Sequence, residues 1–286
     1  MIYISSSCIK AETIEESVRT LAEAGFKNIE LSGGTKYYSH YESDLLCLQD
    51  KYELNYQVHN YFPPPTKPFV LNLASVNDDV RDQSIQLCKK AIRLSKKLGG
   101  KRYGVHAGFL IDIKPREAGK IIGYRQLSDR NRALKRFADA WKQIGDEAAG
   151  AVTLYVENNV FSSTNANTYS GNNPFLLTNY EGYLELNDHV NVNLLLDVAH
   201  LKVSTSSLGL EFHDELEKLV PDSKYIHLSD NDGLHDLNEG FKNGNDMLIA
   251  LGKYEMDNKI LTLETYCNID EISNSLSVVT EMFSLD

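Results

Sequence analysis

Eight short runs rich in β-branched and aromatic residues alternate along this 286-residue chain with longer segments of helical periodicity. The predicted strands cover residues 2–6, 28–31, 54–59, 102–106, 152–157, 190–197, 224–228 and 259–264. The predicted helices cover residues 13–24, 41–52, 77–98, 128–149 (with Ser128 as N-cap), 174–186, 210–219, 246–251 and 269–283. Because each parallel pair of strands needs a crossover, strict alternation predicts a parallel sheet. Eight such units predict an α/β protein, a single (β/α)8 TIM barrel over residues 1–286 with its active site at the C-terminal ends of the strands.

A doubly wound open sheet is the alternative architecture. It would be favoured by a glycine-rich phosphate turn after the first strand, but the sequence contains neither G-x-G-x-x-G nor G-x-x-x-x-G-K-[ST]. Four widely spaced cysteines without a Cys-x-x-Cys pair indicate a reducing compartment, so we expect a cytoplasmic protein. No apolar run approaches the ~20 residues of a membrane span, and the first ten residues do not resemble a signal peptide.

The charge of the chain bears on its partners. A formal net charge of −11 argues against a nucleic acid, because phosphate binding depends on lysine and arginine. The loop over residues 108–127 is the exception, with Lys114, Arg116, Lys120 and Arg125. It would suit a phosphorylated small substrate or a nucleic acid, although a solvated loop is the simpler interpretation. The long loops after strands four and five predict contacts with a substrate or a second subunit, which leaves a homo-oligomer open.

Residues that ligate metals or transfer protons recur where the predicted strands end. They are Glu30 near the end of strand two, then His59, His106, Glu157, Asp197, His227 and Glu264 on strands three to eight, with His200 three residues after Asp197. A single histidine after an apolar run is more often structural, but here the same position recurs on consecutive strands. The strand ends of a barrel meet on one rim, where clustered carboxylates and imidazoles need a cation among them. The mixture of ligands predicts a divalent metal as cofactor, with Mn²⁺, Mg²⁺, Co²⁺, Fe²⁺ and Zn²⁺ as alternatives.

The same residues lie in seven segments that occur in a characteristic order. The segments are VHNYFPPP (58–65), FVLNLAS (69–75), YGVHAG (103–108), YVENN (155–159), LLLDVAH (194–200), YIHLSDNDGLHD (225–236) and LTLETY (261–266). Together they resemble the xylose-isomerase-like barrel superfamily over nearly the whole chain. That superfamily includes sugar and sugar-phosphate isomerases, ketose 3-epimerases, inosose dehydratase-like proteins and the endonuclease IV group. Each segment is weakly specific, and the ordered set identifies the superfamily rather than one member.

The resemblance implies a central metal site formed by Glu157, Asp197, His227 and Glu264. It implies that Glu157 and Glu264 are also the catalytic pair, acting as proton acceptor and donor. In the epimerase branch, the position of His200 implies a contact with a substrate hydroxyl.

The endonuclease IV branch implies further metals. His59 and His106 would be additional ligands with Glu157 as the bridging carboxylate, and His200 would join an Asp-x-His pair after strand seven. This chain has Asp236-Leu237-Asn238 at that place, so the histidine of the pair is missing. His235 could replace it only with a different local geometry.

Two enzymatic hypotheses follow. The first is a divalent-metal-dependent isomerase or epimerase of a sugar, sugar derivative or polyol, which moves a proton through an enediolate. On this hypothesis the partner is a small sugar-like molecule, and His59, His106, Tyr61 and Phe62 line its pocket. The alternative is a multi-metal phosphodiester hydrolase of endonuclease IV type, which Asn238 and the acidic loops make less attractive. A barrel that has lost its activity is a third hypothesis, disfavoured because all four central ligand positions are intact.

Overall fold

A closed barrel of eight parallel strands forms the centre of the computed structural model, which describes residues 1–285. The strands are β1 (Ile2–Ser5), β2 (Asn28–Leu31), β3 (Asn55–His59), β4 (Arg102–His106), β5 (Thr153–Glu157), β6 (Asn193–Asp197), β7 (Tyr225–Leu228) and β8 (Ile260–Leu263). They pair in sequence order, and β8 closes the barrel by pairing in parallel with β1. The predicted (β/α)8 fold is therefore confirmed.

Helices cover the outside of the barrel. They are α1 (Ile14–Glu23), α2 (Tyr41–Tyr52), α3 (Asp78–Lys97), α4 (Arg130–Ala148), α5 (Ser163–Thr168), α6 (Tyr180–Asn187), α7 (Val198–Leu208), α8 (Phe212–Leu219), α9 (Asp246–Leu251) and α10 (Ile269–Phe283). In α1 the apolar residues Ile14, Val18 and Leu21 recur at helical spacing and are fully buried, and the Thr13 side chain caps the helix by accepting from the Glu16 amide. Within residues 1–285, no helix has the length and apolar character needed to cross a bilayer.

Some predicted helices differ from the observed ones. Helix α6 begins at Tyr180 rather than at residue 174, after an Asn179 cap. Asp129, not Ser128, caps α4, because its carboxylate accepts the Arg132 amide. Helices α5 and α7 were not predicted from the sequence. In α7 most residues are buried, so its sequence lacks the polar face that marks a surface helix.

The alternation of side chains along the strands builds the site. Residues two apart on a strand face the same side. The lower layer of the barrel interior contains Gln57, Tyr155, Leu195, Tyr225 and Thr262. Two residues further along the same strands come His59, Glu157, Asp197, His227 and Glu264. The five ligand-type side chains therefore form one layer at the C-terminal mouth of the barrel.

Gly104 on β4 leaves room for this layer. A Cβ atom at Gly104 would lie 2.6 Å from Leu195 Cδ1 and 3.0 Å from His59 Cδ2. These distances are shorter than ordinary carbon contacts, so a larger residue would displace the His59 ring. The glycine thus leaves the space that the side chains of Leu195 and His59 occupy.

Candidate metal centre

Four residues predicted as metal ligands converge at the C-terminal mouth of the barrel. Glu157, Asp197, His227 and Glu264 each offer one ligand atom, and these atoms lie within 4.8 Å of one another. Their positions follow from pairing, since Asp197 on β6 is in register with His227 on β7. Glu264 comes directly after β8, which pairs with β7.

Glu157 lies at the centre of the cluster, in contact with several histidines. Its Oε2 atom lies 2.7 Å from His59 Nε2 and 3.3 Å from His106 Nδ1. Its Oε1 atom lies 3.4 Å from His227 Nδ1 and 3.8 Å from His200 Nδ1. One carboxylate thus faces four imidazoles, which is the arrangement expected of a bridging or shared ligand.

Neighbouring polar groups hold the other carboxylates in place. Ser7 Oγ donates to Glu264 Oε1 at 2.9 Å. Asp197 Oδ1 caps α7 by accepting the His200 amide at 2.7 Å, and the Asp197 amide donates to Asn158 Oδ1 at 2.7 Å. Ser7 and Asn158 were not predicted as site residues, although each lies just past the C-terminal end of a strand, where residues of a barrel site are expected.

A cavity of about 1110 Å³ opens above this layer. The predicted site residues that line it are His59, Tyr61, His106, Glu157, His200, Asp236 and Glu264. Val70, Phe109, Ile122 and Phe175 supply an apolar wall. The prediction for Phe62 is wrong, because this ring is fully buried in the core with its centroid 6.1 Å from that of Tyr41. Proline-rich loops often expose their aromatic residues, but here the chain turns Phe62 inward.

This chain differs from the endonuclease IV branch at the place where that branch is expected to hold a third metal. His200 Nε2 lies 3.3 Å from Asp236 Oδ2 and 3.8 Å from Asp197 Oδ2. The Asn238 amide oxygen accepts from Ser229 Oγ at 3.5 Å. His235 lines the cavity, but its Nδ1 lies 3.0 Å from Asp232 Oδ2 of its own loop. No second histidine therefore joins His200 and Asp236 in the described part of the chain.

Burial and charge shift the pKa values of the cluster in opposite directions. Burial lowers the pKa of His106 to about 4 and raises that of Asp197 to about 7. Burial would raise the pKa of Glu264, but the imidazole of His227, whose Nδ1 lies 3.3 Å from Glu264 Oε2, lowers it to about 2. Burial likewise opposes ionisation of Glu157, yet the charges of His106 and His59 hold its pKa well below the ordinary value.

The residues fit a divalent metal on two observations. First, the buried atoms Glu157 Oε1, His227 Nδ1, His106 Nδ1 and Asp236 Oδ1 have no hydrogen-bond partner among residues 1–285. Unpaired buried polar atoms are costly, and ligation would satisfy them. Second, ligand atoms within 4.8 Å of one another can all reach an ion, since metal bonds to oxygen and nitrogen are about 2.0–2.6 Å long.

We predict that a metal stabilises the protein more at higher pH. Burial would lower the pKa values of His200 and His227, but facing carboxylates raise both, and burial raises that of Asp197. Their contribution to the stability of the metal-free protein is therefore lost as pH rises through these folded-state pKa values. A bound metal takes the place of the released protons, so the stability that it adds is larger at the pH values where those protons have been lost. The Tm difference between Mn²⁺-loaded and chelated protein should widen from about pH 6 to about pH 8; a difference that narrows would contradict this.

The basic residues of the loop 108–127 do not converge on the cavity. Lys120 lines it, whereas Arg125 pairs with Glu117. Lys114 and Arg116 are exposed and are not part of the lining. A phosphate-binding cluster of all four residues is thus not formed.

The fold and the candidate site together define the class of this protein, a (β/α)8 barrel with carboxylates and histidines clustered at the C-terminal ends of its strands. The sequence profile described as "Xylose isomerase-like TIM barrel" matches residues 18–280, and the chain belongs to this family. An uncharacterized protein of Methanocaldococcus jannaschii is 24% identical over 99% of this chain and 89% of its own length.

Solved structures share the fold. A D-tagatose 3-epimerase-like protein has a TM-score of 0.73 and 20% identity, over 99% of this chain and 97% of its own. An L-ribulose 3-epimerase has a TM-score of 0.64 and 17% identity, over 96% and 86%. Endonuclease IV from Thermus thermophilus has a TM-score of 0.62 and 14% identity, over 99% and 98%. The fold of this chain is therefore shared with proteins described as sugar 3-epimerases and with an endonuclease IV.

Proposed function

We propose that this chain is a divalent-metal-dependent isomerase or epimerase of a sugar, a sugar derivative or a polyol. One observation carries the proposal: Glu157 and Glu264 belong to the four-residue ligand set and also line the cavity. Such carboxylates can exchange a proton with a substrate. Asp197 and His227 are buried beneath the cavity surface, so their part is to hold the metal.

The chain's own residues account for the proton transfer. A bound divalent metal would supply Lewis-acid polarisation of neighbouring carbonyl and hydroxyl oxygens of the substrate. Glu264, with its pKa of about 2, is ionised and takes the proton from a carbon beside the carbonyl, and the electron pair of that bond forms an enediolate. Because its pKa lies well below the ordinary value, Glu157 starts ionised and first takes up a proton from His59, which lies 2.7 Å from Glu157 Oε2. Glu157 then gives this proton to the same carbon from the other side, and exchange with solvent returns His59 and Glu264 to their starting states.

The test is an exchange assay with the Mn²⁺- or Co²⁺-loaded protein in D₂O. D-tagatose, D-fructose, D-psicose and L-ribulose are the first substrates, chosen from the names of the structural neighbours. We expect a new epimer in chromatography, and deuterium at the carbon that changes configuration in the NMR spectrum. Deuterium identifies proton exchange with the side chains, whereas an intramolecular hydride shift would carry the original hydrogen. Absence of both products from ketoses and polyols would contradict the proposal.

A phosphodiester hydrolase is the second candidate, and the contacts of Glu157 with both His59 and His106 favour it. His59→Ala separates the two functions. For the proposed epimerase we expect about one metal ion per chain in the variant and the wild type, with activity reduced about 10-fold. For the hydrolase, the wild type would hold two or three ions and cleave abasic DNA, and the variant would lose an ion together with cleavage. Metal analysis and a DNA-cleavage assay distinguish these outcomes.

A further inference from the structure

Glu30 is a completely buried carboxylate on the inner face of β2. It is in register with Gln57 on β3, which places it in the layer beneath the candidate metal ligands. Gln57 Nε2 donates to Glu30 Oε2 at 2.9 Å, and Thr262 Oγ1 donates to the same atom at 3.2 Å. The carboxylate is therefore anchored from below.

The same carboxylate also contacts a histidine of the ligand set. His227 Nε2 forms a hydrogen bond with Glu30 Oε2 at 3.3 Å and lies 3.1 Å from Oε1, which is 3.9 Å from His59 Nδ1. In the described part of the chain, no lysine or arginine pairs with Glu30. Burying an ionised carboxylate costs several kcal/mol unless a partner compensates it. The compensation available to Glu30 comes from the two imidazoles above it.

The two ring nitrogens of His227 have different surroundings. Nε2 faces Glu30, whereas Nδ1 lies 3.4 Å from Glu157 Oε1 and 3.3 Å from Glu264 Oε2. A neutral imidazole carries its proton on one nitrogen and a lone pair on the other. A proton on Nε2 that is donated to Glu30 leaves the lone pair of Nδ1 directed at the other ligands.

We propose that Glu30 is a positioning residue for the metal, which fixes the tautomer and orientation of His227 by accepting its Nε2 proton. Metal-ligating histidines commonly donate their second ring N–H to such an acceptor, which also makes the ligand nitrogen more basic. The inference rests on the metal site of the proposed function. It adds that the affinity for the metal depends on a carboxylate that does not touch the metal.

The test is the dissociation constant for Mn²⁺ and Zn²⁺, measured by competition with a fluorescent chelator. Glu30→Gln keeps the shape of the side chain but removes its charge, and we expect binding about 10–100-fold weaker than in the wild type. Glu30→Asp keeps the carboxylate but shortens the side chain by one methylene, which moves the charge away from His227. This variant should bind the metal with an affinity between those of the wild type and Glu30→Gln. In Co²⁺-loaded Glu30→Gln, the visible absorption of the ion should shift, because the donor strength of His227 changes.

Glu215→Gln is the matched control. Glu215 is also a buried glutamate, but its oxygens accept from the Tyr180 amide and from Lys218, on the outside of the barrel. Its variant should lower the Tm and leave metal affinity unchanged. If Glu30→Gln behaves in the same way, with wild-type affinity and an unshifted Co²⁺ spectrum, Glu30 is merely structural and the proposal is wrong.

Two further outcomes keep the conclusions separate. If Glu30→Gln does not fold, Glu30→Asp decides, because wild-type affinity in that variant would overturn the positioning role. Suppose that the wild type binds the metal, that Glu30→Gln binds it more weakly, and that the wild type epimerises no ketose. This result would overturn the proposed function and leave the role of Glu30 intact. A wild type that binds no metal would overturn both.

Discussion

Glu157→Gln and Glu264→Gln should each reduce turnover by about 10²–10⁴-fold, while the protein stays folded. The amide keeps the size of the side chain and can still offer an oxygen to a metal, but it cannot accept a proton in the required way. Each carboxylate lines the cavity, so the loss falls on the chemical step. The measurement is kcat with the metal-loaded variants, beside metal content and circular dichroism.

The control for these variants is Glu147→Gln on the outer face of α4. Glu147 pairs with Arg93 at 2.8 Å, far from the barrel mouth, so this change removes an equivalent charge without touching the site. Its turnover should equal that of the wild type. Full activity in both site variants would show that the proton is moved by other groups and would remove Glu157 and Glu264 from the catalytic assignment. A lost metal ion in either variant would instead identify its main role as ligation.

Removing the metal should lower the Tm by roughly 5–10 °C at neutral pH. An ion present at 100 times its dissociation constant stabilises a protein by about 2.7 kcal/mol, and 1 kcal/mol corresponds to about 2–4 °C for a chain of this size class. Without the ion, the carboxylates of Glu157, Asp197 and Glu264 lie close together, and among residues 1–285 they form ion pairs only with histidines. The measurement is a thermal melt of the loaded and chelated protein.

His227→Ala provides the comparison for that melt. His227 is fully buried within the four-residue ligand set, so its loss should abolish the difference between the loaded and chelated samples. Re-addition of Mn²⁺ or Zn²⁺ should restore the Tm of the wild type and not of the variant. A chelated wild type with an unchanged Tm would mean that this cluster holds no metal in the purified protein, and the assignment would have to be abandoned.

The amino-acid sequence predicted the strands well. The alternation of strands and helices is a local property, and all eight observed strands fall within the predicted ranges. Helix α7 was missed because it follows Asp197 without a loop and is buried on nearly all sides, so its hydropathy has little helical period. The side chain of Phe62 was wrongly assigned to the pocket. The direction in which a loop residue points depends on the residues that pack around it, and the sequence alone does not give that packing.

The residue types of the candidate site were also determined by the sequence. Ligand-type residues at successive strand ends predict a cluster, because the C-terminal ends of the strands of a barrel lie on one rim. Glu157, Asp197, His227 and Glu264 do come together there. What the tertiary structure decided is which atoms face one another. The contact of Glu30 with His227 and that of Ser7 with Glu264 join residues 197 and 257 positions apart in the chain. Such contacts depend on strand register and on the closure of β8 against β1, which set distances that no local pattern of residues encodes.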